Sequence, residues 1–382
     1  MSTAHDWIRD HARPWDDLQP VVAAAKTATV VAIGENTRES AEIDRHRVAV
    51  VKALVEEAGY RVIVFPDSAN VAERMDDYVH GRRDDLHDVV RTAWRPNRTE
   101  ANADLLAWVR AFNERHAETV RVVGNGPRAA EPADYDRVLE SAAQDPDAVA
   151  ALRERYDVIR TAHEVNEHIQ IHHGTHPGRP FAELAQEALD IVRALPEPDP
   201  EAVGLAEDIH GFHANAIAAR PDFAAVGRGI ADRIVAAHEA AGRKVVYFDG
   251  FALTGVLSGA EVAVSPGKRF ATAGWLLRER FGDAYVSVLL AFGHGTIRGG
   301  LVIPEAAEGH LERDLLDSGV DAALLPLEDG SWPNGARKLR IVAGVYDPAE
   351  DGRHALDLPS LRDAADFLGF TRAITETRML ES

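Results

Sequence analysis

The chain has 382 residues, of which 46% are hydrophobic and 27% charged, with a formal net charge of −20 and no cysteine. This composition supports one large hydrophobic core or two smaller ones, and it excludes disulfides and thiolate chemistry. The negative charge argues against a nucleic-acid partner. No apolar run reaches about 18 residues, and the N-terminus lacks the apolar core of a secretory signal, so we expect a cytoplasmic protein without membrane association.

Short apolar runs rich in Val and Ile predict buried strands along the chain. Runs of this kind, bounded by turn residues, are typical of parallel strands covered on both faces. The predicted strands are Ala28–Ile33, Arg61–Phe65, Val120–Val123, Lys244–Phe248, Tyr285–Phe292, Ala322–Leu325 and Ile341–Val345. Helical patterns separate them, as at Ser40–Ala58 and Asn102–Phe112. The order predicts an α/β fold with a mainly parallel central sheet flanked by helices.

The middle of the chain carries helical patterns and no convincing strand from about residue 145 to 240. Pro196, Pro198 and Pro200 divide this segment into at least two parts. We therefore expect an N-terminal α/β half at 1–144, a helical insertion at 145–240 that caps the site, and a C-terminal α/β half at 241–382 that completes the same sheet.

Polar residues follow the predicted strands, at the edge where open α/β sheets bind ligands. Glu35 follows the first strand, Arg38 comes three residues later, and Arg47 lies on the next helix. Arg38 is expected to keep Glu35 ionised, either as part of an anion or carbonyl site or in a structural ion pair. Asp67 and Asp249 follow two other strands. Each is an acid/base or substrate-binding candidate, although a turn-capping role is the more frequent one for an aspartate there.

Two further residues are candidates for contact with a substrate. His294 lies in AFGHGTI, whose glycines would let the backbone approach a ligand or would simply form a tight turn. Tyr247 lies on a predicted strand, where it would line a pocket or pack in the core.

The run TAHEVNEHIQIHHGTHPG, at 161–178, is rich in histidine. Glu164, His168 and His172 recur every four residues and are predicted to share one face of a helix. Such a set could bind a divalent metal, which is the one cofactor that we consider, although the spacing differs from HExxH. His163, His168 or His172 could instead provide acid/base chemistry without a metal, or form a plain polar helix face.

Several patches, in order along the chain, resemble the erythromycin esterase family. They are DWIRDHARPWDD at 6–17, VVAIGENTRES at 30–40, EEAGYRVIVF at 56–65, TAWRPNRTEANADLLAWVRAFNERH at 92–116, RPDFAAVGRGIADRIVAAHEAAGRKVVYFDGFAL at 220–253, IVAGVYDPAED at 341–351 and DAADFLGFTRAIT at 363–375. The resemblance implies the family's α/β fold over nearly the whole chain. It also implies an esterase activity that opens macrolactones with activated water.

The resemblance also assigns the family's site positions to this chain. Glu35 matches the first acid and Arg47 the arginine, whereas Arg38 stands where the family has its general-base histidine. The second acid falls on Pro66, beside Asp67. The family's HNxH motif falls on 250–253, where this chain reads GFAL directly after Asp249. Arginine stays protonated in proteins, so Arg38 cannot serve as the base.

The chain is thus identified as a diverged member of the family without the general-base histidine and the HNxH pair. We expect it to act on a small natural-product-like molecule by non-hydrolytic acid/base chemistry in secondary metabolism: cyclisation, dehydration or elimination, or isomerisation. One alternative is an esterase or lactone hydrolase with a relocated base. Another is a non-catalytic protein that binds or sequesters a small molecule. The substrate and the oligomeric state are left open.

Overall fold

The computed structural model describes residues 4–38, 40–216, 222–263, 265–327 and 335–380. Within these ranges no helix is long and apolar enough to cross a membrane.

The strands of the described residues are β1 (Val30–Glu35), β2 (Tyr60–Phe65), β3 (Arg121–Gly124), β4 (Lys244–Gly250), β5 (Tyr285–Ile297), β6 (Leu301–Ile303), β7 (Ala322–Pro326), β8 (Arg337–Arg340), β9 (Ala355–Leu358) and β10 (Phe367–Ile374). Eight of them form the sheet that organises the fold, in the order β3-β2-β4-β1-β5-β10-β7, with β6 paired to β5. Only the β10–β7 and β5–β6 pairs of this sheet are antiparallel, which confirms the predicted mainly parallel sheet. Strands β8 and β9 form a separate antiparallel pair.

Helices alternate with the strands and also fill the middle of the chain. They are α1 (Ala4–His11), α2 (Gln19–Ala25), α3 (Ala41–Glu57), α4 (Ala69–Val79), α5 (Leu86–Arg91), α6 (Glu100–Asn113), α7 (Pro132–Ser141), α8 (Pro146–Ile159), α9 (Glu167–His172), α10 (Phe181–Arg193), α11 (Pro200–Gly211), α12 (Phe223–Ala241), α13 (Phe251–Thr254), α14 (Ala273–Phe281), α15 (Leu311–Asp317) and α16 (Leu361–Ala364). Short 3-10 segments lie at Arg95–Asn97, Arg160–His163, Gly282–Ala284 and Pro348–Arg353, and a π-helical segment lies at Phe212–Ala216.

Strand β1 lies in the middle of the sheet and is buried along its whole length. Val31 and Ile33 point to one face and join the core with α3, whereas Val30 and Ala32 point to the other face and join the core with α12 and α14. Both faces of the strand are therefore covered, which explains why its sequence is continuously apolar rather than alternating.

The C-terminal region differs from its prediction. The strand predicted at Ile341–Val345 is wrong, because this segment bonds to neighbouring loops instead of joining a ladder. The Val342 N–H donates to the Asn36 carbonyl, and the Ile341 N–H donates to the His354 carbonyl. Strand β10 occupies the sheet position beside β5.

The chain divides into two compact units. The first comprises Met1–Asp67, Val71–Asn125 and Phe223–Ser382, and it contains the whole sheet. The second comprises Ser68–Asn70 and Gly126–Asp222 and has a core of its own, built mainly from α7, α8, α10 and α11. The sequence-based division placed the helical insertion at 145–240 instead. Helix α12 belongs to the first unit because it packs on β2, β4 and α14. The capping role of the insertion stays a prediction.

Candidate active site

Polar side chains gather where the central strands of the sheet end. In the ladder of β1 and β4, Gly34 pairs with Asp249 and Glu35 pairs with Gly250. Parallel strands present their carboxyl ends at one edge, so residues far apart in sequence meet there.

Glu35 and Arg47 form a buried ion pair at this edge. The Arg47 Nε lies 2.8 Å from the Glu35 Oε1, but its N–H is not aligned for a hydrogen bond, so the attraction between the two groups is electrostatic. The other guanidinium nitrogens donate to the Asp44 Oδ1 at 2.6 Å and the Asn102 Oδ1 at 3.0 Å. The guanidinium carbon also lies 4.4 Å from the centre of the Phe248 ring. Arg47 is thus fixed on all sides.

Burial dominates the protonation of Glu35. Loss of hydration raises its pKa to about 7, with Asp44 and Asp249 acting in the same direction and Arg47 and Arg38 in the opposite one. Arg38 acts to lower this pKa as expected, but desolvation outweighs the attraction of both arginines, so the pKa is raised overall. A carboxyl with this pKa can both accept and give a proton near neutral pH.

Arg38 pairs with Asp249 rather than with Glu35 and remains 24% exposed. Asp249 also accepts hydrogen bonds from the Asn125 Nδ2 at 2.6 Å and from the Gly250 N–H at 2.7 Å. The Arg38 guanidinium carbon lies 5.2 Å from the centre of the Trp94 ring. Asp249 therefore orients Arg38, whose side chain stays partly accessible to solvent.

Gly250 gives the Arg38 guanidinium its space. A Cβ atom at residue 250 would lie 3.2 Å from the Arg38 Nη2, closer than ordinary packing allows. The backbone angles of Gly250, φ −56° and ψ 140°, suit any residue, so only the space beside Arg38 distinguishes glycine from a larger residue here. The arginine at 38 and the missing side chain at 250 are complementary features of this site.

Asp67 has the turn-capping role. Its Oδ2 accepts from the Trp94 backbone N–H at 2.8 Å and from the Asn97 Nδ2 at 2.9 Å. These bonds hold the turn that carries the Trp94 ring beside Arg38. Asp67 thus contributes to the site by positioning the turn.

Tyr247 and His294 lie apart from Glu35. Tyr247 is fully buried in the core, and its hydroxyl lies 3.2 Å from the Tyr285 hydroxyl. Glu35 pairs with Leu290 of β5, so His294 comes four residues later, roughly 13 Å farther along that strand. The structure therefore gives neither residue a contact with the Glu35 site.

The histidine-rich segment is not one continuous helix. A 3-10 segment ends at His163, and α9 begins at Glu167 after Asn166, whose ψ of 147° is extended. Glu164 therefore precedes the break, and the predicted shared face of Glu164, His168 and His172 is wrong. Across the described ranges, no group of three or more His, Asp or Glu side chains is arranged to hold a metal ion.

The histidines of the second unit take part in its own packing or face solvent. The Tyr135 hydroxyl lies 3.0 Å from the His163 Nε2 and 2.9 Å from the His213 Nε2. Burial lowers the pKa of His168 to about 4, so this ring is neutral at pH 7 and cannot donate a proton as an acid. His172 is exposed.

Three further residues support the site; sequence reasoning singles out Asn125 as a strand-end residue but does not name Asp44 or Asn102. Asp44 precedes Arg47 by three residues on a helix, and that spacing is itself a signal for an ion pair. Asn125 directly follows β3, so it lies at the same sheet edge as the strand-end acids. Asn102 lies three residues after Thr99, the N-cap of α6, and nothing in the sequence pattern there indicates a contact with Arg47.

The family model described as erythromycin esterase matches residues 55–374 of the chain. The chain belongs to the erythromycin esterase family. Membership in this family suggests that the protein is a hydrolase-type enzyme. The match begins within α3, so Glu35, Arg38 and Arg47 precede the matched residues. No curated protein shows significant sequence similarity to this family member.

Solved structures share the fold of this family member at low sequence identity. A protein from Bacillus cereus has a TM-score of 0.67 at 17% identity, covering 99% of this chain and 98% of its own. A succinoglycan biosynthesis protein has a TM-score of 0.66 at 18% identity, with the same coverages. A mutant of the erythromycin esterase EreC, in its open conformation, has a TM-score of 0.61 at 12% identity, covering 97% of this chain and 99% of its own. These similarities confirm the predicted family and fold.

Proposed function

We propose that this protein is an enzyme that transfers protons with Glu35 while Arg38 binds a carbonyl or carboxylate of a small natural-product-like molecule. The reaction that we propose is non-hydrolytic: an elimination, isomerisation or cyclisation. The observation that carries the proposal is the burial of Glu35, which raises its pKa to about 7. A group is most effective in acid/base catalysis when its pKa lies near the working pH.

The two groups suit proton abstraction next to a carbonyl. The Glu35 carboxylate would take the proton from the α-carbon, and the electron pair would move onto the carbonyl oxygen. The Arg38 guanidinium would stabilise that oxygen through charge-assisted hydrogen bonds. Departure of a β-substituent would complete an elimination, and return of the proton to another carbon would complete an isomerisation.

The identity of the other site groups supports a reaction other than hydrolysis. Arg38 cannot accept a proton from water. The ring of His46, on the same helix as Arg47, contacts Trp15 and Thr371 instead, and burial lowers its pKa to about 3. Secondary metabolism is the setting that we propose, by analogy with the macrolide substrates that the family resemblance implies.

A hydrolase with a relocated base is the second candidate function. Family membership favours it, because the erythromycin esterase family suggests a hydrolase-type enzyme. Glu35 would then accept the proton of an attacking water, and Arg38 would stabilise the oxyanion of an ester or lactone. The two candidates differ in the mass of the product, since hydrolysis adds one water.

The test is turnover of a panel of lactones, hydroxy acids, keto acids and acylated sugars, followed by mass spectrometry. The sugars are included because one structural relative is described as a succinoglycan biosynthesis protein. Glu35→Gln and Arg38→Lys are compared with matched controls at the exposed residues Glu56 and Arg228, Glu56→Gln and Arg228→Lys. We expect a product of equal mass, or one lighter by a water. Its rate should fall at least about 100-fold in Glu35→Gln and stay unchanged in the controls. Binding without any turnover would support the non-catalytic alternative.

A further inference from the structure

A second buried carboxyl lies close to the end of β1. Glu312, in the first turn of α15, is 0% exposed. Its Oε1 accepts a hydrogen bond from the Arg340 backbone N–H at 2.9 Å and from the Asn36 Nδ2 at 3.4 Å. Asn36 directly follows Glu35 and is 1% exposed. A buried acid is thus in contact with the residue next to the proposed proton-transfer group.

This contact leaves two buried oxygens without a hydrogen-bond partner in the described part of the chain, the Glu312 Oε2 and the Asn36 Oδ1. Both are acceptors when Glu312 is ionised, and a buried acceptor without a donor costs about 1–3 kcal/mol. One proton on the Oε2 would satisfy both, because it would donate to the Oδ1 and close a two-bond acid–amide ring. Exchanging the Oδ1 and Nδ2 positions of the Asn36 amide would not remove the need for a proton, because the Asn36 Oδ1 would then face the Glu312 Oε1.

The charges around Glu312 are engaged with other partners. The Arg340 Nε lies 2.8 Å from the Asp351 Oδ1, and its Nη1 donates to the Gly293 carbonyl at 3.1 Å. On α15, Asp314 accepts from the Arg337 Nε at 2.5 Å. Within the described ranges no Lys, Arg or His lies within ion-pair distance of Glu312. Burial lowers the pKa of His310, which precedes α15, so that ring is neutral at pH 7.

We propose that Glu312 is held protonated, and that the Asn36–Glu312 acid–amide pair is a positioning pair that fixes the end of β1, and with it Glu35, relative to α15. The backbone of Asn36 supports this role. Its N–H donates to the Leu290 carbonyl at 3.2 Å, and its carbonyl accepts from the Val342 N–H at 2.8 Å. The hydrogen bond from the Asn36 side chain to Glu312 is its third attachment, after the two backbone bonds. Burial also raises the pKa of Glu312 to about 7, so the pair loses its proton at alkaline pH.

The first test of the pair compares Glu312→Gln with wild type by melting temperature at pH 6.0 and pH 8.5. A glutamine mimics the protonated acid, because its amide N–H can donate to the Asn36 Oδ1. We expect Glu312→Gln to melt no lower than wild type at pH 6.0 and farther above it at pH 8.5, because the unfolded glutamate is ionised at both values whereas folded Glu312 loses its proton only near pH 7. Glu308→Gln, at an exposed residue, should follow wild type at both values. The proposal would be overturned if Glu312→Gln lowered the melting temperature at pH 6.0 as much as Asn36→Ala does, and if its melting temperature still fell at alkaline pH as that of wild type does. This result would show that Glu312 acts as a carboxylate.

The second test measures the positioning role without a substrate. The side-chain carboxyl of Glu35 is titrated by ¹³C NMR, with Glu35→Gln used to assign its signal. We expect Asn36→Ala to move the titration midpoint of Glu35, because Glu35 shifts relative to its charged neighbours, and Glu312→Gln and Glu308→Gln to leave it in place. An unmoved midpoint in Asn36→Ala would overturn the positioning role. The positioning role rests on the proposed function, but both readouts are independent of turnover, so failure of the Glu35 chemistry and failure of the pair are distinguishable.

Discussion

At the level of single residues, Glu35 and Arg38 have separate tasks that follow from their surroundings. Glu35 is buried against Arg47, and burial brings its pKa near neutral pH. Arg38 is partly exposed and is oriented by Asp249 and by the Trp94 ring. The proposed site thus combines a carboxyl that can exchange a proton near neutral pH with a cation held in place by Asp249.

Asp44 provides a test of how the charge around Glu35 sets its pKa. Asp44 raises the pKa of Glu35, so Asp44→Asn should lower it. If ionised Glu35 is the base, the turnover rate of wild type rises with pH through about 7. In Asp44→Asn this rise should occur at lower pH. The measurement is kcat/KM against pH, with Glu56→Gln as the control; a rise at unchanged pH would contradict the role of Glu35.

Gly250 tests whether the space beside Arg38 matters for activity. Gly250→Ala would place a methyl group 3.2 Å from the Arg38 guanidinium without straining the backbone. We expect kcat/KM to fall about tenfold or more while the free energy of unfolding changes by less than about 1 kcal/mol. Gly352→Ala, where a Cβ would meet nothing within 4 Å, is the control. Equal loss of activity and stability would instead indicate a structural glycine.

The sequence predicts which side chains lie together at the sheet edge better than it predicts the partners of those side chains. Glu35, Arg38 and Asp249 were found because strand ends share one edge in a parallel sheet. The pairing of Arg38 with Asp249, 211 residues away, depends on the register of β1 and β4 and on the space at Gly250. The prediction that Glu164, His168 and His172 share one helix face is wrong for a local reason, because the backbone at Asn166 is extended and breaks the helix.

At the level of elements, the strands buried on both faces were predictable, and those with mixed sequences were not. The continuous apolar runs of β1, β2 and β4 predict buried strands from the sequence alone. Strand β10 contains Gly369, where a Cβ would collide with the Trp15 ring, and the polar Thr371. Such residues interrupt the apolar pattern for packing reasons that only the folded structure reveals.

The close approach of β1 and α13 gives a prediction at this scale. A Cβ at Gly34 would collide with the Thr254 Oγ1 and the Phe251 ring and would lie 3.1 Å from the Phe251 Cα. Gly34→Ala should therefore lower the free energy of unfolding by about 1–3 kcal/mol or more. Urea denaturation measures this loss, with Gly352→Ala as the control. A change below about 0.5 kcal/mol would show that α13 moves away without cost.

At the level of the whole molecule, the raised pKa of Glu35 links stability to pH. A carboxyl whose pKa is raised on folding, here from 4.5 to about 7, weakens the fold as the pH rises through that window. Glu35→Gln removes this effect. Its free energy of unfolding should therefore gain about 3 kcal/mol relative to wild type between pH 4.5 and pH 7.5. Histidines with lowered pKa values, such as His46 and His213, make the fold more stable as the pH rises. Their contribution is the same in wild type and in Glu35→Gln, so it cancels when the two are compared. A difference that is flat with pH would contradict the buried, protonatable Glu35.

The family suggests a hydrolase-type enzyme, whereas the reaction that we propose is non-hydrolytic, and this difference is the main question at the scale of the molecule. The chain belongs to the erythromycin esterase family, and its sequence resemblance to that family implies that Arg38 stands where the family has its general-base histidine. A family fold does not fix the reaction, which depends on the groups at the site.

The most direct test is the mass of the product formed by wild type and by Glu35→Gln from the same carbonyl-bearing substrate. We expect a wild-type product of equal mass, or lighter by one water, and a loss of at least about 100-fold in Glu35→Gln. A wild-type product heavier by one water would show hydrolysis. A Glu35→Gln enzyme that keeps the wild-type rate would show that Glu35 does not transfer the proton.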